Sequence, residues 1–201
     1  MRQNKPERAF SLRYNEPMNV YDFDKTIYPL DSSIEFYLYN LKRNPIIAMY
    51  WIKMIVAFGM YKLHIITKTD MKTIFYIYFN RIDNIEKRAE EFWSTRYDKL
   101  NAFYLKQKLS SDVIISASPE VLLKPICDKL GVTLIGSRVD PVTGRSQENC
   151  YGQEKVKRFR ELYPNEQINE FYSDSLSDSP LANLSNKAFL VTGQTITDWP
   201  K

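Results

Sequence analysis

Val20-Tyr21-Asp22-Phe23-Asp24-Lys25-Thr26 decides how the rest of the chain is read. Met18 to Tyr21 is apolar apart from Asn19, the pattern of a short buried strand, and two carboxylates spaced i, i+2 follow at its end. In extended backbone that spacing puts both side chains on one side. Neighbouring anions repel, so a fold that keeps them together needs a cation between or beside them. Oxygen donors suit a hard divalent ion, and Mg²⁺ is the expected occupant. An Asp-x-Asp alone is equally the acidic end of a strand before a turn, so later residues must decide.

Upstream, Met1 to Pro17 mixes charges with Pro6 and Pro17 and reads as a lead-in tail, in which Phe10, Leu12 and Tyr14 alternate as a strand would. It shows no apolar run of the signal-peptide kind. Downstream, Asp31 to Lys108 reads as a run of helices without a convincing strand. Ser32-Ser33 is expected to cap a helix to about Lys42, and Asn44-Pro45 to start a second. Thr67 to Arg81 and Asn84 to Leu109 complete a four-helix unit. The segment Pro45 to Tyr61 is apolar all round except for Lys53. A helix without a polar face is buried in its own bundle, touches lipid or an apolar substrate tail, or spans a bilayer, for which seventeen residues is the lower limit. Part of this surface is expected to face the active-site entrance or a membrane.

After Ser110 strands and helices alternate. Strands are predicted at Asp112 to Ser116, Val132 to Ile135, Ile168 to Tyr172 and Ala188 to Thr192. Helices are predicted from Ser118-Pro119 to Leu130, stopped by Gly131, from Gln153 to Leu162, and after Ser179-Pro180; Arg138 to Gln147 reads as a hairpin or flap. This implies an α/β fold: a doubly wound, mostly parallel Rossmann-like sheet with a helical bundle inserted after the first strand. The expected division is tail 1–17, core 18–30 and 109–201, and helical cap 31–108.

At 201 residues the chain can bury one core plus an insertion, and a net charge of +4 is too small for a dedicated nucleic-acid surface. Cys127 and Cys150 lack metal-ligand spacing and have only His64 to assist them, so they read as buried, reduced thiols of a cytoplasmic protein.

Ligands of a doubly wound sheet bind at the carboxyl ends of its strands. There lie Asp22 and Asp24, then Ser116-Ala117-Ser118, then Asp174 and Asp178, with Lys155 early in the helix after the flap. These are the parts that phosphoryl transfer needs: a nucleophile, a proton donor, oxygens for a metal, and fixed donors for the phosphoryl oxygens. Asp22-Phe23-Asp24-Lys25-Thr26, Val113-Ile114-Ile115-Ser116, Gly152-x-x-Lys155 and Asp174-x-x-x-Asp178 resemble the four ordered motifs of the haloacid dehalogenase superfamily. The insertion after the first motif and Ser-Ala-Ser-Pro-Glu at 116–120 resemble its phosphoserine-phosphatase-like branch.

The resemblance implies a Mg²⁺-dependent phosphomonoester hydrolase. Asp22 would attack phosphorus, and Asp24 would serve as acid and then base. Ser116 and the Ala117 N–H would bind phosphate, Lys155 would neutralise charge, and Thr26 would fix the turn. Asp22, the Asp24 carbonyl and Asp174 would hold the metal, with Asp178 as a nearby or direct partner. Asp31 stands where that branch places an acidic grip on phosphoserine, yet Lys62 to Thr73 offers Lys68 and Lys72 and no arginine. The expected substrate is a small phosphomonoester such as a phosphorylated amino acid. The alternative is a lipid phosphate of the phosphatidylglycerophosphate kind, met through peripheral contact of the cap with the inner membrane surface. Receiver domains share acidic residues, Lys and Mg²⁺, but lack the long insertion and the final Asp pair; a silent phosphate-binding module would not need every motif carboxylate.

Overall fold

The computed structural model describes residues 17–200, so the tail expected over 1–17 lies almost wholly outside the described residues. Seven strands form one sheet: β1 (Val20–Tyr21), β2 (Val113–Pro119), β3 (Thr133–Val139), β4 (Ser146–Glu148), β5 (Ile168–Ser173), β6 (Ser185–Thr192) and β7 (Thr195–Asp198). Their order is β4-β3-β2-β1-β5-β6-β7, parallel except for the edge pairs β3–β4 and β6–β7. The short β1 is the middle strand, with Val20 opposite both Val113 and Phe171. The strand order reverses on either side of it, so its carboxyl end opens on the crevice where doubly wound sheets bind ligands.

Successive residues of β1 face opposite layers. Val20 packs with Val113, Ile115, Ile135, Phe159 and Phe171. Tyr21 belongs to the other cluster, which continues without a break into Phe36, Phe79, Phe92 and Trp93 of the insertion. The insertion is therefore one hydrophobic body with the sheet. Its helices are α1 (Ser32–Arg43), α2 (Trp51–Lys62), α3 (Lys68–Tyr76), α4 (Ile85–Ser94) and α5 (Ala102–Gln107). The Trp93 indole N–H, on α4, donates to the Leu122 carbonyl at 2.7 Å. Leu122 lies on α6 (Glu120–Leu130), which ends at Gly131 in the left-handed region, as predicted. The last helices are α7 (Gln153–Leu162) and the short α8 (Ser179–Ala182).

Several boundaries differ from expectation. Asp31, not Ser32 or Ser33, caps α1, its carboxylate accepting the Ile34 N–H at 3.0 Å. Pro45–Tyr50 winds as a 3-10 segment before α2, and Ile77–Arg81 does so after α3. The single helix expected from Asn84 to Leu109 is two: α4 ends at Ser94, and α5 starts after Asn101, which is held on the first-motif turn. Its backbone N–H donates to Ile27 O at 2.8 Å and its side chain to Thr26 O at 2.6 Å. Strand β2 runs on through Pro119, so Ser118 is not the cap of α6. Beyond the last predicted strand the chain forms one more, β7, which pairs with β6.

The expected hairpin is the β3–β4 ribbon, and it leans on the insertion: the Ser146 N–H donates to Thr73 Oγ1 at 3.1 Å. Gly144 at its tip has φ +73°, and a Cβ there would lie 2.0 Å from the Tyr76 carbonyl oxygen. Gly144→Ala is therefore expected to cost about 1–3 kcal/mol and to push the ribbon off α3, read as a lowered denaturation midpoint. Cys127 and Cys150 are unpaired and buried, and burial raises both thiols, that of Cys150 to about 11. Neither should react with a maleimide until the protein is unfolded, which mass spectrometry reads directly.

Candidate active site

Phe23 turns the chain at the end of β1 by accepting three backbone N–H groups, from Thr26, Ile27 and Tyr28, while Lys25 takes a left-handed φ of 58°. This turn delivers Asp22 and Asp24 into a cavity of about 410 Å³. Asp31, Ser116, Ala117, Lys155, Asp174 and Asp178 also line it. Thr26 does not: it is fully buried behind the turn, its carbonyl held by Asn101 and its hydroxyl without a hydrogen-bond partner among the described residues. Eight of the nine residues singled out from the sequence thus meet in one cleft.

Lys155 is the electrostatic hub. Its buried ammonium donates to Asp22 Oδ1 at 2.6 Å and to Asp178 Oδ2 at 2.7 Å. Burial pulls its pKa down, but the two carboxylates outweigh that and raise it, so it stays charged. Its sequence neighbours serve elsewhere: Lys157 pairs with Glu154 at the surface, and Arg158 donates to Glu120 at 2.7 Å and to the Gly136 carbonyl. Burial raises Asp22 to about 7 against the pull of Lys155. Asp174 is raised by burial as well, although Lys25 opposes the shift.

Asp24 sits in a different network. Its Oδ1 accepts the Ser32 N–H at 2.8 Å and its Oδ2 the Ser118 hydroxyl at 2.5 Å. Burial and then the nearby Asp31 raise its pKa to about 6. Ser118 in turn meets Ser33 at 3.1 Å, and Ser33 meets the buried Tyr76 hydroxyl at 2.9 Å. The sequence places Ser118 at the start of a helix and so does not show this chain from α3 to Asp24. The missed signal is strand periodicity: with β2 extended, Ser116 and Ser118 fall on one side. Lys72, in sequence only one of the cap cations, also reaches this end of β2. It donates to the Ala117 carbonyl at 2.5 Å and to Asn149 Oδ1 at 2.7 Å, and burial, then Lys68, pulls it down to about 8.

Whether a cation suits the cleft can be judged from its donors. Asp178 Oδ1 is buried without a hydrogen-bond partner among the described residues, an acceptor that an ion would satisfy. Asp22, Asp24 and Asp174 add only oxygens, the ligands of a hard divalent ion. Among the described residues no three carboxylate, His or Cys side chains are already drawn into a ligand cluster; Lys155 bridges Asp22 and Asp178 instead. The donors suit a hard divalent ion such as Mg²⁺ in kind.

A cleft of paired carboxylates, a buried ammonium and hydroxyls at the switch point of a doubly wound sheet marks an enzyme rather than a binding scaffold. The model of haloacid dehalogenase-like hydrolases matches residues 20–183, and the chain belongs to that family. Among solved structures, one similar in fold is a protein of unknown function from Bordetella pertussis Tohama I, 20% identical over 87% of this chain and 89% of that one, with a TM-score of 0.69. Another is a phosphoserine phosphohydrolase-like protein from Francisella tularensis subsp. tularensis SCHU S4, 13% identical over 86% of each chain, TM-score 0.54. A phosphoserine phosphatase in its apo form shares 11% identity over 87% of this chain and 85% of that one, TM-score 0.50. No curated protein matches the chain.

Proposed function

We propose that the protein hydrolyses phosphomonoesters through an aspartyl-phosphate on Asp22, with 31–108 serving as the cap over the cleft. The observation that carries this reading is the division of labour between the two carboxylates. Lys155 holds Asp22 Oδ1, which leaves Oδ2 to form a bond to phosphorus as the ester P–O bond breaks. Asp24 has no lysine partner among the described residues and is held by Ser32 and Ser118, so it is the carboxyl placed to give a proton to the departing alkoxide, and its burial favours the protonated form. It then takes a proton from the water that attacks phosphorus and releases Asp22. Ser116 and the Ala117 N–H hold phosphoryl oxygens, and Lys155 balances their charge. Asp22, the Asp24 carbonyl, Asp174 and Asp178 would hold Mg²⁺, which when bound supplies positive charge to the phosphoryl oxygens.

Two substrate classes follow from the cleft. For a phosphorylated amino acid, Asp31 is in the wall, but it already caps α1, and the lining cations are lysines with no arginine. For an amphiphilic phosphate, Met54, Phe58, Met71 and Phe75 form an apolar wall of the same cavity. The wall favours the second class.

The first test is hydrolysis of a generic aryl phosphate with and without chelation. EDTA is expected to abolish turnover and lower the melting temperature, and Mg²⁺ to restore both. Asp174→Asn should weaken Mg²⁺ binding by calorimetry. Full activity after thorough chelation would exclude the proposed role of the cation.

A further inference from the structure

The segment that is apolar all round is open to solvent along α2. Of α2 only Ala57 is buried. Ile52 is 73% exposed and Leu63, in the turn that follows, 72%, while Trp51, Ile55, Val56 and Ile65 are more than half exposed. Ile46 and Met49 extend the surface into the preceding 3-10 segment. Contiguous apolar area of this kind marks an interaction surface. No helix among the described residues is long and apolar enough to cross a membrane, so a span is not what α2 supplies.

Charge separates the candidate occupants. From Phe36 to Thr69 there is no Asp or Glu, whereas Lys42, Arg43, Lys53, Lys62 and Lys68 all fall in that stretch. A second copy of the chain seated face to face would set lysine against lysine with no acid to pair. An anionic bilayer offers apolar depth for Ile52, Ile55 and Leu63 and phosphate headgroups for the lysines. Long side chains such as Lys53 and Lys62 reach such headgroups while their stems lie on apolar surface. Lys62 already lies over the Phe58 ring, 5.4 Å from its centroid.

The surface also runs into the cleft. Phe58 and Met54 of α2 line the cavity that holds Asp22, and Ile55 stands one turn from Phe58 on the exposed side. We propose that α2 and the turn after it seat the protein on an anionic membrane surface, and that the cleft takes its substrate, a lipid phosphomonoester, from that surface. The seat stands on the surface alone. The substrate half rests on the phosphomonoesterase reading above.

The test is co-sedimentation with mixed phosphatidylcholine–phosphatidylglycerol vesicles and with pure phosphatidylcholine vesicles, beside hydrolysis of phosphatidic acid in the mixed vesicles and of an aryl phosphate in solution. The protein should sediment with the mixed vesicles at low salt, lose most of that binding as salt rises, and bind the neutral vesicles weakly. Ile52→Glu/Ile55→Glu changes exposed side chains only, so its melting temperature should match the wild type while sedimentation and phosphatidic acid turnover fall at least several-fold. Asp22→Asn should sediment like the wild type. An inactive wild type that still sediments would overturn the catalytic reading and leave the seat standing. No sedimentation at low salt, binding indifferent to the double substitution, or a stable dimer that covers α2 would overturn the seat.

Discussion

Replacing Asp22 by Asn is expected to lower turnover by about 10⁴-fold or more while leaving the fold intact. The amide keeps the size of the carboxylate and can still accept from Lys155 through its oxygen, but it is a poor nucleophile toward phosphorus. Stability should hold because the change removes one buried anion and leaves Lys155 paired with Asp178 at 2.7 Å. Burial already works against the charge on Asp22, raising it to about 7, so its removal relieves a cost as well as losing a contact. Steady-state rates on an aryl phosphate and a thermal melt of the same sample check both halves. Near wild-type turnover would remove Asp22 from the chemistry.

Replacing Lys155 by Met has the opposite profile, since it damages fold and activity together. The ammonium is 2% exposed and is the shared partner of Asp22 and Asp178. Without it two buried carboxylates face each other unpaired, a defect that costs about 3–5 kcal/mol. In a chain of this size the melting temperature should fall by roughly 10 °C. Adding Asp178→Asn removes one stranded charge and should recover part of the loss, whereas two independent losses would add. A single variant as stable as the wild type would mean that the lysine is not the hub.

The readable parts of the sequence were those set by strand ends. Asp22 and Asp24, Ser116, and Asp174 and Asp178 each follow an apolar run, and the crossover rule brings such ends to one crevice whatever the loops do. Lys155 was legible because Gln153 to Leu162 is a clean helix whose first turn reaches the same edge. What stayed hidden depends on contacts between distant segments. Asn101 stays out of the expected long helix and starts a new one, held by the Thr26 and Ile27 carbonyls of the first-motif turn. Ser118 becomes a partner of Asp24 only because β2 continues past the point where Pro119 suggested a helix start. Composition gives Pro45 to Tyr61 more apolar surface than its bundle can hide, but which of those residues lie bare depends on their neighbours. Here they cover Ala57 and leave Ile52 and Ile55 bare.

The covalent step itself can be caught. Acid quenching during turnover of a phosphomonoester, followed by borohydride reduction and peptide mapping, converts a phosphorylated aspartate to homoserine at the position that carried the phosphoryl group. Homoserine at position 22, dependent on Mg²⁺ and absent from Asp22→Asn, is the predicted result. Modification at another residue, or full turnover with position 22 unmodified at every quench time, would contradict it.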